Sequence, residues 1–141
     1  MRIEQLGGNP MIADLLKSAG LRPTRQRIAI AQRLFCGTGG HTTADRLYAE
    51  LCRANQRVVL ATVYNTLQAL VTAGLLRQIR VKGLTFYDSN QADHYHFLVS
   101  RECRLIDVPS ADLAVEMPAI PEGYELNRVD VLIHLVRKES C

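Results

Sequence analysis

Paired cysteines are missing from this chain. Its four cysteines, Cys36, Cys52, Cys103 and Cys141, form no C-x-x-C pair, so spacing offers neither a thiolate zinc knuckle nor a redox dithiol, and reduced structural thiols are the expectation. Long apolar stretches are missing too: no uninterrupted run of A, V, I, L, M, F, W, Y or C exceeds four residues. A membrane span needs about 18 or more. The opening MRIEQLGGNP has no apolar segment of the kind a signal peptide requires. A cytoplasmic protein with no membrane partner is therefore expected. Repeats and low-complexity segments are also lacking. What is present, 48% hydrophobic and 22% charged residues over 141 positions, is the balance of a soluble globular protein with one ordinary domain or two small ones.

The net charge of +3 conceals a gradient. Up to Asp88 there are 12 lysines and arginines against 5 aspartates and glutamates; from Ser89 onward there are 5 against 9. A basic module for a polyanion joined to an acidic one for another task fits that asymmetry, and surface solubility is the plainer explanation.

Helical signals dominate the basic half. In LRPTRQRIAIAQRLFCG, Pro23 and Thr24 precede a stripe of Ile28, Ala31, Leu34 and Phe35, with Gly37 as a stop. HTTADRLYAELCRA repeats the logic: Thr42 and Asp45 resemble a capping box ahead of Ala44, Leu47, Tyr48 and Leu51. In LATVYNTLQALVTAG, Val63, Leu67, Leu70 and Val71 share one face and Gly74 ends the run. Thr62, Asn65 and Gln68 fall opposite, with Tyr64 at the edge. Two short strands around Lys82 and Gly83 follow, so the order is helix, helix, helix, hairpin: a winged helix-turn-helix. An uncharged face of hydroxyl, amide and phenol groups on a basic module suits base edges, while nearby arginines neutralise phosphates; a solvated helix face is the ordinary alternative.

The stretch DHYHF, residues 93–97, places His94 and His96 two apart. On a strand both would face the same side, where they either share a ligand or are two polar residues on a wet sheet face. Tyr95 would point the other way and pack. His134, on an otherwise apolar strand, reads as a satisfied structural histidine.

GLRPTRQR, HTTADRLY, LATVYNTLQALVTAGLL and DHYHF, in this order and spacing, resemble the ferric uptake regulator (Fur) family of bacterial metal-dependent transcription factors, over nearly the whole chain from Gly20 onward. The resemblance implies an α+β chain: a winged helix-turn-helix DNA-binding domain, residues 1–88, followed by a small α/β dimerisation and metal-sensing domain, residues 89–141. Strands are expected in YHFLV, CRLIDV and RVDVLIHLV, with Pro109, Pro118 and Pro121 interrupting the last connection. So small a second domain buries little alone, and pairing into a homodimer is reasonable.

Position by position, the resemblance makes Arg22 the minor-groove arm residue and Thr62 to Leu70 the reader of a double-stranded operator. Tyr64 becomes its base-contacting aromatic, with Thr62, Asn65 and Gln68 beside it. Asn65 stands where many relatives have arginine. The regulatory metal site implied is His41, Asp88, His94, His96 and Asp107, one divalent transition metal per subunit. Donors of nitrogen and oxygen suit Mn(II) or Fe(II), and Zn(II) also binds such sets.

Many members carry a C-x-x-C three residues after the second histidine as half of a structural zinc site. Here those positions are Val99 and Glu102, so no four-cysteine zinc is expected. That loss, with LRPTRQR, LATVYNTL and PEGYELNRVDVLIHLVRK, makes the chain similar to the iron response regulator (Irr) subgroup, which responds to haem or iron status. The subgroup's Cys-Pro haem motif is absent and Tyr95 interrupts its run of histidines; His94 and His96 are the haem donors that remain. Three functions follow for test: a dimeric repressor-type regulator of iron or haem homeostasis controlled by metal or haem, a winged-helix regulator indifferent to metal, and a metal enzyme. The enzyme ranks last, since five protein ligands leave little room for substrate and no separate general base stands out.

Overall fold

The computed structural model describes residues 9–36, 40–81, 83–89 and 94–139. The chain divides into two compact units, Met1–Gln91 and Ala92–Cys141.

The first unit opens with a helix the motif reading did not include, α1 (Asn9–Ser18). Its Ile12 and Leu16 are fully buried, a spacing of four that puts both on one face. Gly20, at φ +76, ends it in the left-handed region. Helix α2 (Arg25–Cys36) buries Ile30, Ala31, Leu34 and Phe35; Ile28, expected in that stripe, is only half-buried. Gly37, its expected stop, lies outside the described residues.

A two-residue strand β1 (His41–Thr42) leads into α3 (Ala44–Arg53). The N-cap of α3 is Thr43, whose hydroxyl accepts the Arg46 N–H at 3.2 Å. The Thr42–Asp45 capping box is therefore corrected by one residue: Thr42 belongs to the strand, and its pairing with Tyr87 takes it out of the helix start. Ala44, Leu47 and Leu51 are buried as their spacing requires. Helix α4 (Leu60–Thr72) buries Val63, Thr66, Leu67 and Leu70. Thr66 is tolerated in that apolar face because its hydroxyl donates to the Thr62 carbonyl at 2.7 Å. Gly74, at φ +78, closes α4, with Leu75 N–H returning to the Leu70 carbonyl at 2.9 Å. These side chains, with Ile12, Leu16 and Tyr87, make one core, to which each fully buried leucine or isoleucine contributes about 1.5–3 kcal/mol.

Strands β2 (Arg77–Val81) and β3 (Leu84–Asp88) form the wing hairpin, turning at Gly83, φ +80. Lys82 lies outside the described residues. The sheet order is β1-β3-β2, all antiparallel, so the wing's inner strand also holds the α2–α3 connection.

The second unit is built on β4 (His94–Val99), paired antiparallel with β5 (Arg104–Pro109) and parallel with β6 (Leu132–Leu135). Cys103, at φ 47, makes the tight turn between β4 and β5. Helical structure among the described residues of this unit is limited to two single 3-10 turns, Ser100–Glu102 and Ser110–Asp112. The long strand expected over RVDVLIHLV is realised only as Leu132–Leu135. Residues 113–131 carry no strand or helix and expose Tyr124 (78%) and Leu126 (53%). His134, expected as a satisfied structural histidine, is exposed on β6.

Candidate functional site

The first turn of α2 organises one face of the winged helix. Thr24 caps it, accepting the Arg27 N–H at 3.3 Å, and the Arg27 guanidinium donates back to the Arg22 carbonyl at 3.0 Å. Arg22 is exposed at the end of that held backbone. On α4, Tyr64 is 46% exposed, Asn65 and Gln68 are exposed, and Thr62 is half-buried. The Gln68 amide donates to the Thr72 hydroxyl at 3.5 Å. Asn65, Gln68 and Thr72 line a shallow depression of about 610 Å³ together with Ser18 and Gly20, so the turn after α1 borders the polar side of α4. Sequence spacing had placed Thr62, Asn65 and Gln68 on that side. It missed Val59, 58% exposed at the N-cap of the same helix; no motif marks it, because an isolated valine carries no polar signal.

The five metal-type residues divide between the two units. In the first, His41 and Asp88 are direct partners across β1 and β3. Directly opposed residues on antiparallel strands project to the same face, about 4.5–5.5 Å apart at Cβ. Asp88 is fully buried and His41 half-buried. The pairing is locked by the Ser89 N–H donating to the Gly40 carbonyl at 2.9 Å.

In the second unit His96 and Asp107 are partners across β4 and β5, with His96 Nε2 and Asp107 Oδ1 3.5 Å apart. His96 is 5% exposed, on the same side of β4 as buried Leu98. His94 heads the strand, in register with Pro109; its side chain lies outside the described residues. Tyr95 is half-buried, consistent with packing on the opposite side. Each unit thus presents one histidine–carboxylate pair on adjacent strands, an arrangement that suits a hard or borderline divalent cation.

The positions that would belong to a C-x-x-C are otherwise engaged. Val99 is buried, and Glu102 pairs with Arg137 and Arg104. Cys103 directs its thiol at the Ser100 carbonyl, 3.8 Å away. Cys36 and Cys52 are exposed. In the wing, burial raises the Tyr87 phenol above its ordinary pKa, an effect the hydrogen bond with Gln78 partly offsets. No described helix is long and apolar enough to cross a membrane.

A winged helix with an exposed polar face on its last helix, followed by a strand unit, is the architecture of a class of DNA-binding transcriptional regulators. Within that class the Ferric uptake regulator family matches residues 18–135, and the chain belongs to that family. It is 31% identical over 129 residues to Transcriptional regulator FurA of Mycobacterium tuberculosis, covering 87% of this chain and 85% of the relative. To the Peroxide operon regulator of Bacillus subtilis it is 31% identical over 134 residues, covering 89% and 88%. Among solved structures, the ferric uptake regulator of Pseudomonas aeruginosa with manganese superposes with a TM-score of 0.69 at 24% identity, covering 91% of this chain and 98% of that one. The Vibrio cholerae ferric uptake regulator gives 0.70 at 22% identity, covering 86% and 96%. At these identities the structural likeness establishes the fold.

Proposed function

We propose that the chain is a dimeric regulator that binds a double-stranded operator through residues 1–88 and senses one divalent transition metal per subunit, with residues 89–141 as dimerisation and sensing domain. The observation that carries this is the repeated cross-strand pair, His41 with Asp88 and His96 with Asp107. Together with His94 these residues would hold Mn(II), Fe(II) or Zn(II); the relatives of known structure include manganese-, iron- and zinc-bound regulators. Such an ion would supply positive charge to the carboxylates it meets; His41 would offer it a donor on β1, just ahead of α3, and Asp88 one at the end of the wing.

Arg22 neutralises phosphate at the arm, and Thr62, Tyr64, Asn65 and Gln68 read bases from α4. The exposed alternation Tyr124, Leu126 is the patch a second copy would cover. Iron or haem homeostasis is the physiological setting we favour, by the likeness to the Irr subgroup; haem would use His94 and His96 and bind weakly without a Cys-Pro thiolate.

The second reading, a regulator indifferent to metal, is favoured by the His96–Asp107 contact itself, in which Nε2 and Oδ1 lie 3.5 Å apart as direct partners. Operator affinity with and without Mn(II), measured beside metal content for the unmodified protein and His41→Ala, separates the two. The proposal expects the unmodified protein to tighten on the operator with Mn(II), and His41→Ala to retain some metal while losing much of that gain. Equal affinity with and without Mn(II) in the unmodified protein would establish the second reading.

A further inference from the structure

Helices α2 and α3 each carry a local cap: Thr24 for one and Thr43 for the other. Helix α4 has none. Its N-cap is Val59, in extended conformation at φ −98 and ψ 137, and no side chain of its own segment closes the turn. The sequence Val58-Val59-Leu60 contains no Ser, Thr, Asp or Asn that could do so. The side-chain bond made at this N-cap comes from 33 residues away: Gln26, in the first turn of α2, accepts the Val59 N–H on Oε1 at 3.0 Å. This is the bond that the N3 glutamate or glutamine of a capping box makes to its own N-cap amide, made here by a different helix.

The same turn of α2 also reaches the other way, through Arg27 to the Arg22 carbonyl. One turn of backbone therefore holds both the arm that carries Arg22 and the N-cap of α4. The geometry points to Gln26 as the positioning residue of the DNA-reading helix: its carboxamide fixes where α4 begins, and hence where Tyr64 stands relative to Arg22. The inference rests on the reading of α4 as the base-reading helix. Gln26 touches no base in this role. It acts on specificity through Val59 and the turn that follows, where the Val59 carbonyl accepts from Thr62 and Val63.

The test uses the full-length protein with Mn(II) present throughout, and compares Gln26→Met, which keeps length and removes the acceptor, with Gln26→Glu, which keeps an acceptor. Amide hydrogen exchange at Val59 should accelerate about tenfold in the methionine variant and return towards the original rate in the glutamate variant. A duplex selected from a random pool by the unmodified protein should be bound about three- to tenfold more weakly by Gln26→Met, the scale of a lost helix cap. A scrambled duplex should change less, so the ratio of the two affinities falls. In Gln26→Glu the added charge lowers both affinities together, and the ratio recovers. Unchanged Val59 exchange in Gln26→Met would overturn the bond. Faster exchange with an unchanged affinity ratio would overturn its positioning role. Tyr64→Ala serves as the separate check on the reading helix: if it too leaves the ratio unchanged, the assignment of α4 fails on its own account, and the DNA part of the inference with it.

Discussion

His41 stands directly opposite Asp88 across two antiparallel strands, one of them only two residues long. A histidine near the end of the α2–α3 connection and a carboxylate at the end of the wing are thus brought together by backbone pairing, before any ligand is considered. Whatever changes that rung is felt by the wing and by the helix that follows His41.

His96→Ala should lower the affinity for Mn(II) about tenfold or more, because it removes a nitrogen donor from beside the Asp107 carboxylate. Asp107→Asn, which keeps the shape and loses the charge, should weaken it in the same direction by less. Metal content after dialysis against a fixed free Mn(II) concentration measures both. Retention of full metal content by His96→Ala would exclude the proposed ligand set.

Arg22→Ala should weaken binding to all duplexes alike and make the slope of log K against log salt shallower by about 0.9, the signature of one lost phosphate contact. Tyr64→Ala should instead narrow the gap between selected and scrambled duplexes with little change in slope. Titrations at several salt concentrations give both quantities from one experiment.

Two backbone devices of the first unit can be weighed by urea unfolding. Thr43→Ala removes the hydroxyl that accepts from Arg46 and should cost about 1 kcal/mol. Gly74→Ala forces a side chain into a φ of +78 and should cost about 1 kcal/mol or more, although a Cβ there would meet nothing within 4 Å. A neutral Gly74→Ala would mean that the turn relaxes.

The Tyr87 phenol is held above its ordinary value, about 10, chiefly by burial, so the folded state binds this proton more tightly than the unfolded one. Its contribution is complete below about pH 10 and is lost as pH rises through the folded value. Tyr87→Phe should therefore flatten the fall in stability on the alkaline side while leaving the neutral range nearly unchanged. Urea midpoints at pH 8 and pH 11 check it.

Helix α4 and its buried stripe were legible because thirteen residues with period 3.6 and a terminal glycine leave little else for the segment to be. The wing was legible from Gly83 and its flanking strands. Helix α1 was missed although Pro10, Ile12, Leu16 and Gly20 carry the same grammar, since it lies outside the motifs that drew attention. Strand β1 was illegible in principle: two residues have no periodicity, and only the partner strand makes His41–Thr42 a strand at all.

For the candidate site, the resemblance to the Fur family named His41, Asp88, His94, His96 and Asp107, but not which would be neighbours. That information lies in strand register, which one sequence leaves open. The strand expected over residues 128–136 shows the reverse error. Alternation there is clear, yet only Leu132–Leu135 finds a partner strand in the single chain among the described residues. Gln26 was invisible for a different reason: a helical glutamine gives no hint that its amide serves another helix.

The sheet of the second unit joins strands that lie at very different distances along the chain. The β4–β5 hairpin closes over a tight turn at Cys103, whereas β6 pairs His96 with Leu132, 36 residues further on. Hairpins form in about 1–10 μs, but a strand that must return across a long connection waits on the entropy of closing that loop. During synthesis the helical unit and the hairpin can therefore be complete while the last strand is still being made. Until it docks, the β4 edge stays open, a template on which a neighbouring nascent chain could pair in its place.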